Sequence, residues 1–86
     1  MKQYEVILSG KVQKSIQSIP NIYLVKIHKN LSSLSLNPRP FGCIKLNATG
    51  NVYRIRVGVY RIVYTIEDEI LTVRIIKIDH RSSVYN

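Results

Sequence analysis

Residues 52–66, VYRIRVGVYRIVYTI, leave the backbone few choices. Apolar and polar side chains alternate with period two, and the only break is the dipeptide Gly58-Val59. A two-residue loop with glycine first suits a type II′ hairpin turn, because glycine takes the positive φ of that position without strain. The turn then sets the register. Val57 opposes Tyr60, Ile55 opposes Ile62 and Tyr53 opposes Tyr64, which makes one face wholly apolar. On the other face Arg56 opposes Arg61 and Arg54 opposes Val63. Like charges set side by side destabilise a sheet, whereas an arginine fork matches a phosphate bidentately, so this face is read as a site for a polyanion, RNA foremost. A following turn at Asp68-Glu69 predicts Thr72 opposite Thr65, Arg74 opposite Val63 and Ile76 opposite Arg61. Arg74 then joins the arginine face, Leu71, Val73 and Ile75 join the apolar one, and no acidic residue neighbours Arg56 or Arg61.

Upstream, Tyr4, Val6 and Leu8 alternate with Gln3 and Glu5 as in a half-buried strand. Ser9 is placed to cap a helix from Gly10, with Val12, Ile16 and Ile19 as its apolar stripe and Lys11 and Lys14 outward. Pro20 ends that helix. Leu24, Ile27, Leu31 and Leu34 mark a second helix from Asn21, with Lys26 and Lys29 off its apolar stripe, until the run Asn37-Pro38-Arg39-Pro40 stops it. A short strand at 43–46 and three longer ones near 52–57, 60–67 and 70–78 follow. The order β-α-α-β-β-β-β predicts a single α+β domain over 1–86, two helices packed on one face of a mainly antiparallel sheet. The opposite face is left for a ligand.

Thirteen Lys+Arg against five Asp+Glu give a net charge of +8, an excess that favours association with polyanions through counterion release. No apolar run approaches the ~20 residues of a membrane span, and residues 1–8 lack the form of a signal peptide, so a cytoplasmic protein is expected. The lone Cys43 is read as a small buried apolar residue. Together with His28 and His80 it offers no metal-ligand spacing, and no phosphate loop or nucleophile elbow is present, so neither metal nor cofactor is expected.

Lys45-Leu46, then VYRIRVGVYRIVYTIEDE, then IIKIDHRSSVY resembles the RelE/ParE superfamily of small bacterial toxins, and the likeness spans nearly the whole chain with its motifs in family order. Within it the chain looks more like the RelE branch, messenger-RNA endonucleases of the translating ribosome, than like the ParE gyrase poisons. The resemblance implies a cognate antitoxin, messenger RNA and ribosomal RNA as partners. It also implies residue roles. Arg54 and Arg56 stand where RelE-type enzymes carry basic residues, often lysines. Arg61 matches an arginine that holds the scissile phosphate, His80-Arg81 lies at the basic pair after the last strand, and Tyr85 matches a tyrosine that stacks on or orients a nucleotide. Val59 departs from the aspartate common at that turn, and the family's terminal helix has no counterpart up to Asn86.

Metal-independent cleavage needs a base for the 2′-hydroxyl, cations for the pentacoordinate phosphate, and an acid for the 5′ leaving oxygen. Arginines suit the second task and, keeping their proton at neutral pH, suit the first poorly. The expected catalytic set is therefore Arg61, Arg54 and Arg56 on the phosphate, His80 or Arg81 at the leaving group, and Tyr85 positioning the nucleobase or assisting proton transfer. Arg74, Lys45, Lys11, Lys14, Lys26 and Lys29 are expected to bind RNA. A ParE-like gyrase inhibitor and a non-catalytic RNA-binding domain are the alternatives.

Overall fold

Local signals around Ser9 and Pro20 partition the first half of the chain. The structure, a computed structural model, describes residues 3–47 and 50–80. Strand β1 (Glu5–Leu8) ends where the Ser9 side chain accepts the Val12 N–H at 3.2 Å, capping α1 (Gly10–Ile16). The first helix is shorter than its apolar stripe predicts: Ile19 lies in the turn beyond it, yet is still buried. Helix α2 (Asn21–Leu36) buries Ile27, Leu31 and Leu34, the stripe expected from their spacing.

Five strands form one sheet among the described residues, in the order β1-β5-β4-β3-β2. Here β2 is Ile44–Lys45, β3 is Val52–Val57, β4 is Tyr60–Glu67 and β5 is Thr72–His80. Neighbouring strands are antiparallel except β1, which runs parallel to β5. The two helices carry the chain from β1 at one edge of the sheet to β2 at the other, and the antiparallel strands that follow return β5 alongside β1. The core lies between helices and sheet, where Val12, Ile27 and Leu34 meet Ile62, Tyr64, Ile66, Val73 and Ile75, all essentially inaccessible to water. Cys43 is only partly buried, at the margin of that core.

The β3–β4 hairpin has the predicted register, residue for residue, with Gly58 at φ 61° in its turn. The β4–β5 register differs from expectation. Asp68–Ile70 forms a turn of 3-10 helix and Leu71 adopts a left-handed φ of 48°, so the connection is longer than a two-residue turn. Thr72 consequently pairs with Glu67 and Arg74 with Thr65, a shift of two that keeps Arg74 on its expected face. The pairing then slips between Tyr64↔Ile75 and Val63↔Lys77, leaving Ile76 as an extra residue in a bulge. Beyond it Asp79, not Ile76, stands opposite Arg61.

One end of the sheet is tied by a network around Asp68. Tyr4 donates its hydroxyl to the Asp68 carboxylate at 2.6 Å, and the Arg39 fork donates to both carboxylate oxygens at 2.8 and 3.3 Å. Arg39 also donates through Nε to the Tyr53 hydroxyl at 3.2 Å and lies over the Tyr53 ring. The hydrogen bond to Asp68 raises the Tyr4 pKa, and the same carboxylate, with Tyr53, holds the Arg39 proton more firmly still. Tyr64 stacks near Tyr53 and donates to the Pro38 carbonyl at 2.8 Å, so the loop after α2 is fastened to the core. Burial, with Cys43 beside it, pushes the Tyr64 hydroxyl well above the ordinary tyrosine range.

Candidate nucleic-acid interface

Strand alternation carries the site. Because Tyr53, Ile55 and Val57 of β3 and Tyr60, Ile62 and Tyr64 of β4 are drawn into the core, Arg54, Arg56 and Arg61 must project from the opposite surface. Arg56 pairs directly with Arg61, and Arg54 sits one step along the same face. Arg56 is exposed, while Arg54 and Arg61 are partly buried along their stems. Arg54 Nε is withdrawn from water and has no hydrogen-bond acceptor within the described residues. A buried donor of this kind is costly unless something accepts from it, and an arriving phosphate oxygen can.

The remaining expected residues divide. Arg74 shares the face but its Nε donates to Glu67 at 2.7 Å, so its charge is already matched by a carboxylate on β4. Lys45 pairs with Tyr53 and so has the parity of the helix-side face rather than that of Arg54. Lys11, Lys14, Lys26 and Lys29 are exposed on the helical layer, which the sheet separates from the arginines. His80 pairs with Tyr60, and its ring meets the Tyr60 ring edge-on at 5.3 Å. Tyr60 belongs to the core face and also packs against Tyr23 of α2, so His80 is directed away from the arginine face instead of into it. Arg81 and Tyr85 lie outside the described residues.

Two residues that no sequence expectation included occupy the face: Lys77 opposite Val63 and Asp79 opposite Arg61, joined by an ion pair of 3.1 Å. Their signal is the adjacency of Ile75 and Ile76, which interrupts the alternation. Taking Ile76 as a bulge returns Ile78 to the core and sends Lys77 and Asp79 outward. Chemically, the face offers cations at Arg54, Arg56 and Arg61, bordered by the ion pairs Arg74–Glu67 and Lys77–Asp79. Among the described residues no helix is long and apolar enough to cross a membrane.

Residues 6–85 match the family model described as ParE toxin of type II toxin-antitoxin system. Among curated proteins the chain is 30% identical to a protein described as toxin RelE1 of Methanocaldococcus jannaschii, with 96% of each chain covered. It is 28% identical to toxin RelG of Mycobacterium tuberculosis, with 95% of each covered. Among solved structures, a chain of the archaeal RelE–RelB complex from Pyrococcus horikoshii superposes with a TM-score of 0.84 at 31% identity, covering 94% of this chain and 97% of that one. A chain of the M. tuberculosis RelBE2 toxin-antitoxin complex superposes with a TM-score of 0.79 at 27% identity, covering 92% and 99%.

Proposed function

The chain belongs to the ParE toxin family of type II toxin-antitoxin systems, and from that premise we propose that it is an endoribonuclease that cuts messenger RNA on the translating ribosome. The observation that carries this reading is the gathering of Arg54, Arg56 and Arg61 on the sheet face that the helices leave open. Three forks on a rigid hairpin suit a ribose-phosphate backbone, whose scissile phosphate gains negative charge as the 2′-oxygen attacks. Arg61, with Arg54 and Arg56 flanking it, holds that phosphate, and cleavage proceeds through the 2′-hydroxyl without a metal. Arg81, next after β5 in the sequence, is assigned to steady the charge at the leaving group, and Tyr85 to stack on a nucleobase. The RelE descriptions of two of these similar proteins support the nuclease branch.

The exposed lysines of α1 and α2 are assigned to ribosomal-RNA phosphates on the far side of the molecule. A cognate antitoxin neutralises the toxin, as the RelB partner in the similar complexes suggests. The site of action is the cytoplasm, where ribosomes translate. The family's ParE description supports a second reading, a gyrase inhibitor on the same fold. Induced expression separates them. The nuclease halts protein synthesis and fragments messages before any DNA break appears; breaks in DNA with intact messages assign the chain to the second reading.

A further inference from the structure

Arginine holds its proton too firmly to exchange it during a catalytic cycle, so a face of three arginines stabilises charge but leaves the two proton transfers without carriers. His80 is turned onto Tyr60 on the helix side. Besides Arg74, which Glu67 holds, the ionisable groups that β5 delivers to the arginine face are Asp79, directly across from Arg61, and Lys77, two residues along the same strand and on the same side. Directly opposed residues of an antiparallel pair have Cβ atoms about 4.5–5.5 Å apart, so the Asp79 carboxylate lies within reach of whatever Arg61 holds. Both side chains remain open to solvent, at 30% for Asp79 and 48% for Lys77, and their charged atoms are 3.1 Å apart.

We propose that Asp79 and Lys77 carry the proton transfers of message cleavage, Asp79 accepting the 2′-hydroxyl proton and Lys77 donating to the 5′ leaving oxygen. This rests on the nuclease reading above. As the 2′-oxygen attacks phosphorus its proton passes to the Asp79 carboxylate, while the P–O5′ bond breaks with its electron pair leaving on oxygen. That oxygen takes a proton from the Lys77 ammonium. The products are a 2′,3′-cyclic phosphate and a free 5′-hydroxyl, with Asp79 protonated and Lys77 neutral. One proton moving across the 3.1 Å contact from carboxylic acid to amine restores the starting pair, so the cycle needs no further reactant. The bulge at Ile76 is what makes this possible, since without it neither side chain would share the face with Arg61.

Single-turnover cleavage at saturating toxin, on message programmed into ribosomes, tests the assignment. Asp79→Asn and Lys77→Met should each slow the cut by about 100-fold or more, the range usual for loss of a positioned acid or base. A message with sulfur replacing the 5′-bridging oxygen at the cut has a leaving group that needs no proton. It should restore Lys77→Met to near the wild-type rate and leave Asp79→Asn slow, a pattern that misfolding cannot produce. Near-normal cutting of the ordinary message by both variants, with Arg61→Ala inactive, overturns the proposal alone, as does a slow Lys77→Met that sulfur fails to restore. Wild-type toxin that cuts no RNA overturns it together with the reading on which it rests.

Discussion

Replacing Arg56 by alanine should change how RNA binding responds to salt by an amount the geometry sets in advance. Arg54, Arg56 and Arg61 project from one face of the β3–β4 hairpin, so that with Arg61 on the phosphate that is cut, Arg54 and Arg56 are assigned the phosphates flanking it on the same strand. Each neutralised phosphate contributes about −0.7 to the slope of log affinity against log salt, so three give about −2.1. Raising salt from about 50 to about 200 mM then weakens binding about 18-fold, and with Arg56 removed the slope falls to about −1.4 and the loss to about 7-fold. Arg74 is the internal control. Its Nε is held by Glu67 at 2.7 Å, so Arg74→Ala should leave the slope near its wild-type value. Fluorescence anisotropy with a short RNA carrying a 2′-deoxy residue at the cut measures both without cleavage. An unchanged slope for Arg56→Ala, or an equal fall for Arg74→Ala, would refute the assignment of phosphates to this hairpin.

Three other outcomes follow from the fold. Ile62 is fully buried at the centre of the sheet, so Ile62→Ala should lower unfolding free energy by about 2–5 kcal/mol in a urea titration. Tyr64 has its pKa raised by burial, so above the ordinary tyrosine value of about 10 the unfolded chain releases a proton that the folded one retains. Its stabilising contribution is therefore complete below that pH and lost as pH climbs toward the folded value; urea midpoints should fall with alkalinity, less steeply in Tyr64→Phe. Charge reversal of Lys26 and Lys29 on the exposed side of α2 should slow cutting on ribosomes while leaving naked-RNA affinity at the hairpin unchanged, measured by parallel rate and anisotropy assays.

What the sequence disclosed and what it concealed have physical causes. The hairpin was legible because Gly58 supplies the one backbone conformation its turn demands, and every cross-strand pair follows from that. The helices were legible through apolar spacing, although Ile19 showed that a stripe can outlast its helix. The β4–β5 register was not, because its turn places Leu71, a branched residue, at positive φ, where turn rules favour glycine or asparagine. The bulge at Ile76 then exchanges which residues face outward along the rest of β5. Local patterning is also blind to the parallel docking of β1 beside β5, a pairing between chain ends. The arginines were thus found from local pattern, whereas the Lys77–Asp79 pair and the turning of His80 onto Tyr60 needed the assembled sheet.

The assignment on which the mechanism turns gives the phosphate that is cut to Arg61, backed by Arg54 and Arg56. Its most direct test is to map message ends after incubating programmed ribosomes with purified wild-type toxin and with Arg61→Ala. Wild-type toxin should generate defined cuts whose upstream ends carry a 2′,3′-cyclic phosphate, and Arg61→Ala should generate almost none. Equal cutting by the two proteins would contradict the claim.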